Sequence, residues 1–98
     1  MNEKKIKEAV DAFSKNSAWK RYYEDAPSKV CKRYVELDFY RSHNYSSLYP
    51  DSDELEAVHE EQKHLQDKMG VADWKHLAKY AGNNPFRGKC LEKIKELS

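Results

Sequence analysis

The chain has 98 residues, of which 39% are apolar and 36% are charged, and its formal net charge is +1. This length suits one small domain, and a mean hydropathy of −1.07 leaves a small core, with no apolar run long enough for a membrane helix or secretory signal. Cys31 and Cys90 lack C-x-x-C spacing, which favours two free thiols in a cytoplasmic protein; a single long-range bridge would require export.

Charge is distributed unevenly along the sequence. Residues 1–41 contain ten Lys or Arg against seven Asp or Glu, residues 42–69 contain two against seven, and residues 70–98 contain six against three. An acidic middle segment therefore lies between two mildly basic ends. This asymmetry predicts either segments that pack against one another or a folded surface with two faces of opposite charge.

Helical periodicity runs through the N-terminal part of the chain. Residues 2–16 and 18–26 each place apolar residues at helical spacing, and Ser17 can cap the second of these helices. Pro27 ends it, and a third helix is predicted over residues 28–42. The residues expected to face the core are Ile6, Ala9, Val10, Phe13, Trp19, Tyr22, Tyr23, Ala26, Val30, Cys31, Tyr34, Val35 and Leu37.

Two charged residues, Asp38 and Arg41, continue the apolar side of the third helix. They are three positions apart, so they can form an ion pair at the rim of the core. The alternative is a polar patch in a groove that contacts a ligand.

Turn signals divide the remainder into three more helices. After a polar loop anchored by Tyr45, Leu48 and Tyr49, a capping box at Asp51 and Glu54 begins the fourth helix, which Gly70 ends. Asp73 and Gly82 bound a short fifth helix, and Asn84 and Pro85 begin the sixth. The inward residues of these helices are predicted to be Leu55, Val58, Gln62, Leu65, Met69, Trp74, Leu77, Ala78, Ala81, Phe86, Cys90, Leu91, Ile94 and Leu97.

The fold class follows from this pattern. No alternating apolar–polar run or hairpin turn signal indicates a strand. The sequence predicts an all-α protein, a compact single-domain bundle of four to six short helices over residues 1–98. The side chains expected to meet in one core are Trp19, Tyr34, Val58, Leu65, Trp74, Phe86 and Ile94.

The segment "VHEEQKHL" (58–65) resembles a zinc-peptidase helix in composition but not in spacing. A zinc helix needs two histidines four apart, whereas His59 and His64 are five apart and point about 140° away from each other. Glu60 and His64 share a face, but a third ligand is missing from the pattern. The sequence therefore predicts no metal site.

Enzyme signatures are also missing from the sequence. It has no glycine-rich phosphate loop, no nucleophile elbow and no recognisable cysteine–histidine signature, although His76 and Cys90 could meet in the fold. We predict no catalytic residues, no cofactor and no enzymatic activity. In the segment "NNPFRGK" (83–89), Arg87 and Lys89 follow a capped helix start that could hold an anion, but ordinary helix initiation explains the same residues.

Basic and aromatic residues alternate in "WKRYY" (19–23) and "CKRYV" (31–35). If the two helices lie side by side, their Lys-Arg pairs form one patch that could bind nucleic acid, with Tyr23 or Tyr40 stacking on bases. Interleaved acidic residues would weaken that patch. The four basic residues concerned are Lys20, Arg21, Lys32 and Arg33.

Aromatic abundance favours a protein-binding surface. Seven tyrosines and two tryptophans exceed the needs of a small core, and such residues are enriched at protein interfaces. We therefore expect a non-catalytic, cytoplasmic and monomeric interaction or regulatory module, of the kind common among accessory and mobile-element proteins of bacteria. Nucleic-acid binding through residues 19–41 is the alternative. The candidate partner-binding residues are Lys20, Arg21, Tyr23, Lys32, Arg33, Tyr40 and Arg41.

Overall fold

The computed structural model describes residues 3–44 and 52–98, which form six helices and, within these two segments, no strand. The predicted all-α bundle is confirmed. None of the described helices has both the length and the apolar character needed to cross a membrane. Tyr45, Leu48, Tyr49 and Asp51 lie outside the described segments. The helices are α1 (Glu3–Phe13), α2 (Ser17–Glu24), α3 (Lys29–Asn44), α4 (Ser52–Asp67), α5 (Val71–Ala81) and α6 (Pro85–Leu97).

Helix α3 is the centre of the bundle, because α1, α2 and α4 all pack against it, while α5 and α6 pack against each other. Its apolar residues surround the helix axis instead of forming the single predicted stripe, as expected for a helix covered on several sides. Its buried side chains are Cys31, Tyr34, Val35, Leu37, Phe39 and Tyr40.

The prediction that Tyr40 is available to stack on bases is wrong. Its side chain is only 1% exposed, and its hydroxyl donates a hydrogen bond to Glu54 of α4. Tyr40 lies on the side of α3 that α4 covers, and a base cannot stack on a ring buried there.

Several helix boundaries are set by side-chain caps. The cap of α2 is Asn16, not the predicted Ser17: its Oδ1 accepts from the Ala18 backbone N–H at 2.9 Å. At the start of α6, Asn84 accepts from the Phe86 N–H at 2.9 Å and Pro85 occupies the first turn, as predicted.

The N-cap of α5 is Gly70, not the predicted Asp73. Asp73 lies inside the first turn, where its Oδ2 accepts from the Gly70 N–H at 2.9 Å. The other carboxylate oxygen, Oδ1, accepts from the Ser28 hydroxyl at 2.7 Å and ties α5 to the start of α3. Gly82 ends α5 with a φ of 60°, a conformation that glycine adopts at little cost, as predicted.

Three residues that were expected in the core are exposed instead. Trp19 is 39% exposed, and Leu91 and Leu97 are 52% and 51% exposed. Helix α6 packs through Phe86, Cys90 and Ile94, and Leu91 lies about 100° around the helix from Cys90. The predicted apolar stripe of α6 is thus wider than the face that its neighbours cover.

Candidate functional site

Arg33 of the predicted basic patch is partly buried in a cluster of ion pairs. The guanidinium of Arg33 binds Glu61 through Nε at 2.6 Å, Glu3 through Nη2 at 2.7 Å and Glu36 through Nη1 at 3.5 Å. The hydrogen bond that Glu3 accepts from Arg33 lowers the pKa of the Glu3 carboxyl. Arg33 therefore joins α1, α3 and α4, and its charge is balanced by three carboxylates instead of facing a partner.

Three cations of the patch remain, but they are interrupted by acidic groups. Lys20 and Arg21 are exposed on α2, and Lys20 Nζ lies 4.0 Å from Glu24. Lys32 Nζ lies 5.5 Å from the centre of the Tyr23 ring, in a cation–π contact. The Tyr23 ring is half-buried and its hydroxyl donates to a carboxylate of α3. Of the four residues of the predicted patch, Arg33 is therefore ion-paired with carboxylates, and Lys20 and Lys32 each have a neighbouring partner.

A polar network lies where α2, α3 and α4 meet, around Asp38. Oδ2 of Asp38 accepts from the Tyr22 hydroxyl at 2.9 Å, and Oδ1 accepts from Gln62 Nε2 at 2.9 Å. Arg41 Nη1 lies 3.8 Å from Oδ1, so the predicted Asp38–Arg41 ion pair is confirmed. Gln62, only 3% exposed, completes the network: its Oε1 accepts from Arg41 at 3.1 Å and its Nε2 also donates to the Tyr34 carbonyl at 3.2 Å.

Burial raises the pKa of the Asp38 carboxyl above the usual 3.8 for aspartate, although the donors Gln62 and Tyr22 and the Arg41 charge oppose the shift. The folded protein therefore retains the Asp38 proton in a pH range where the unfolded chain has lost it. This contribution to stability is complete below about pH 3.8 and is lost as the pH rises through the raised pKa.

Asp38→Asn should consequently change the pH dependence of stability. We expect the difference in free energy of unfolding, variant minus wild type, to become more favourable to the variant as the pH rises from about 3.8 to 7, since the amide does not ionise. Urea denaturation at a series of pH values measures this difference. Curves for the two proteins that stay parallel would show that Asp38 titrates at the same pH in both states.

An aromatic cleft adjoins this network between α1–α3 on one side and α5–α6 on the other, with a volume of about 320 Å³. The Phe13 and Phe39 rings are stacked, with centroids 4.7 Å apart and planes 7° apart, and Trp19 meets both of them edge-on. The carboxyl-bearing side chain of Asp38 also lines the cleft. The rings that line it are Phe13, Trp19, Tyr22, Phe39, Tyr80 and Phe86.

Trp19 is the exposed wall of the aromatic cleft, whereas Tyr22 and Phe39 are buried behind it. Exposed polar residues, Ser42 and Asn84, stand at the rim. Apart from Asp38, the interior is mainly aromatic, and an exposed indole with a polar rim is the arrangement found at anchor pockets of protein interfaces.

Both thiols are buried, and His76 packs against Tyr22. Cys31 and Cys90 are buried and free, and burial raises their pKa values to about 12 and about 11. His76 stacks on Tyr22 and its Nε2 lies 2.7 Å from the Tyr22 carbonyl oxygen. His59 and His64 are exposed, and the part of the chain that is described contains no group of three or more His, Cys, Asp or Glu able to hold a metal ion.

The two basic residues of the alternative anion site at the start of the sixth helix have other partners. Arg87 Nη1 lies 3.4 Å from the Gly82 carbonyl oxygen, and Lys89 Nζ donates to Gln66 Oε1 of α4 at 2.9 Å. Lys89 is thereby directed away from the first turn of α6 and toward α4.

Sequence reasoning did not identify the aromatic cleft as a site. Phe13 was expected to face the core, Tyr80 to lie at the edge of the apolar stripe of its helix, and Phe39 was assigned no role. One signal was available: α3 has apolar residues on all sides, which indicates a central helix whose neighbours contribute rings to its surroundings. The chain matches no protein-family model, no curated protein and no solved structure.

Proposed function

We propose that the chain is a non-catalytic interaction module that binds a partner protein through the aromatic cleft. The observation that carries this proposal is the exposed Trp19 indole at the mouth of a preformed cavity lined by aromatic rings. Tryptophan is the residue type most enriched among energetically dominant interface residues. The two buried, free thiols support a reducing compartment, and hence the cytoplasm, as the place of action.

The dimensions of the cleft suit a side chain of a partner. Its volume of about 320 Å³ is at the small end of the range of about 300–1,000 Å³ typical of ligand sites. One buried apolar side chain contributes about 1.5–3 kcal/mol. A single anchor residue on the partner, surrounded by contacts at the polar rim, would therefore supply a substantial part of the binding free energy.

Nucleic-acid binding has less support from the geometry. Arg33 is neutralised by three carboxylates and Tyr40 is buried, so two of the residues expected to hold a polyanion are directed elsewhere. The three remaining cations are Lys20, Arg21 and Lys32. They can contact fewer phosphates than proteins that bind DNA specifically usually contact.

Trp19→Ala is expected to weaken partner binding by about 30-fold, the equivalent of roughly 2 kcal/mol for an interface anchor. Leu97→Ala is the matched control, because Leu97 is also an exposed apolar residue but does not line the cleft. The wild-type chain and both variants serve as baits in an extract of the source cells. A protein retained by the wild type and Leu97→Ala, and lost with Trp19→Ala, is then purified and its affinity is measured by calorimetry.

Fluorescence provides a second measurement in the reconstituted complex. Trp74→Phe leaves Trp19 as the remaining tryptophan, whose emission should shift to shorter wavelength when the partner covers it. Two results together would rule out the aromatic cleft as the binding site: Trp19→Ala retains the partner fully, and the Trp19 emission of Trp74→Phe does not shift when the partner is added.

A further inference from the structure

A second cavity, of about 410 Å³, lies between α3, α4 and α6 and has a different chemistry. Three permanent cations line it, one from each helix, together with one histidine and one carboxylate. We define it as the basic groove; its charged or ionisable residues are Arg41, His59, Glu60, Lys63 and Lys89. We propose that the basic groove binds an oxyanion, the phosphate or carboxylate group of a ligand, independently of the partner bound by the aromatic cleft.

Arg41 supplies the geometry for such a ligand. A guanidinium has five N–H donors in a planar fork that matches two oxygens of a phosphate or carboxylate. Within the described structure, Nη1 donates to Gln62 Oε1 at 3.1 Å, and the buried Nε has no hydrogen-bond partner. The Arg41 side chain is 37% exposed and lines the groove while Nη1 stays bound to Gln62.

The inner end of the Arg41 side chain is fixed by the network described above. Gln62 is held by the Tyr34 carbonyl and by Asp38, and in turn it orients the Arg41 guanidinium. A donor that is oriented before binding loses less conformational freedom when the ligand arrives. Arg41 is therefore a positioned donor of the basic groove, not a freely moving surface cation.

Lys63 and Lys89 supply charge on the other two sides. Lys63 is exposed on α4 and forms no ion pair with the residues that the structure describes. Lys89 donates to Gln66 at 2.9 Å, and an ammonium group has two further donors for a ligand. Among the described residues that line the groove, three permanent cations face one carboxylate, Glu60. Asp38, 3.8 Å from Arg41, offsets part of the Arg41 charge, and the remaining local charge favours an anion over a cation.

A titration followed by ¹H–¹⁵N correlation spectra tests this site in the full chain. Inorganic phosphate and acetate are added separately, and sodium chloride at equal ionic strength is the reference. We expect saturable shifts for the side-chain amides of Gln62 and Gln66 with at least one of the two oxyanions. Tighter binding of phosphate assigns a phosphoryl ligand, and tighter binding of acetate assigns a carboxylate. Shifts that do not saturate, or that sodium chloride reproduces, would refute the proposal.

Variants locate the bound ion. Lys63→Gln and Lys89→Gln are exposed substitutions expected to weaken binding about threefold or more each, and Arg41→Lys, which keeps the charge but removes the fork, about tenfold. Lys20→Gln on α2 is the matched control, since it removes the same charge from an exposed residue that does not line the groove. Equal weakening by Lys20→Gln would show general charge attraction and overturn the assigned site. None of these outcomes depends on whether Trp19 binds a partner protein.

Discussion

Trp74→Ala is expected to lower the free energy of unfolding by about 4 kcal/mol, the largest single loss among the substitutions considered. The indole of Trp74, on α5, is only 1% exposed and belongs to the core. Its ring centroid lies 6.4 Å from that of Phe86 on α6. Alanine would leave a cavity that the surrounding helices fill only in part. For a domain of this size the melting temperature should fall by about 20 °C.

Trp19→Ala is the internal comparison for this prediction. The same side chain is removed, but Trp19 is 39% exposed, so we expect a loss of about 1 kcal/mol or less. Urea denaturation followed by far-ultraviolet circular dichroism measures both values. Equal losses for the two variants would mean that Trp19 belongs to the core, and the binding experiment with Trp19→Ala would then lose its meaning.

Gln62→Leu is expected to lower the free energy of unfolding by about 3 kcal/mol although leucine has a similar size and is more apolar. Gln62 is buried and makes hydrogen bonds to three groups: the Tyr34 carbonyl, the Asp38 carboxylate and the Arg41 guanidinium. Leucine satisfies none of them, and a buried polar group that loses its partner costs about 1–3 kcal/mol.

The control for Gln62→Leu is His64→Leu, which changes an exposed residue of the same helix and should alter stability by about 0.5 kcal/mol or less. A double-mutant cycle of Gln62→Leu with Asp38→Asn should give a coupling energy of about 1 kcal/mol, because the two side chains share a hydrogen bond. If Gln62→Leu were as mild as His64→Leu, the network would not contribute to stability.

The helices were predictable because each has its own apolar periodicity and its own residues that cap or end it. Such signals act within a few residues of the chain, so the sequence shows them directly: Asn84 with Pro85 begins α6, and Gly82, with its positive φ, ends α5. The errors arose where two neighbouring residues offered equivalent chemistry: Asn16 and Ser17 both favour the N-cap, and only the folded backbone shows that Asn16 takes the position.

The candidate site was less predictable, because it depends on which helix faces are covered. In the local sequence Arg33 belongs to a Lys-Arg pair, which suggested a basic patch. Its carboxylate partners, Glu3 and Glu61, lie about 30 positions away along the chain. Tyr40 reads as a residue outside the apolar stripe until α4 covers it. Periodicity gives the direction of each side chain relative to its own helix axis, but the long-range packing that decides its exposure leaves no local pattern.

The aromatic cleft lies on the boundary between the two most tightly associated groups of helices, α1 with α3 and α5 with α6. Two polar contacts join α5 to the N-terminal helices, Ser28 to Asp73 and His76 to the Tyr22 carbonyl. A hinge-like separation of the two halves would pull the walls of the cleft apart, so an occupant that touches both walls must oppose such breathing motions. Occupancy of the cleft and rigidity of the whole domain are thus thermodynamically linked, because a ligand that touches both walls also holds the two groups of helices together.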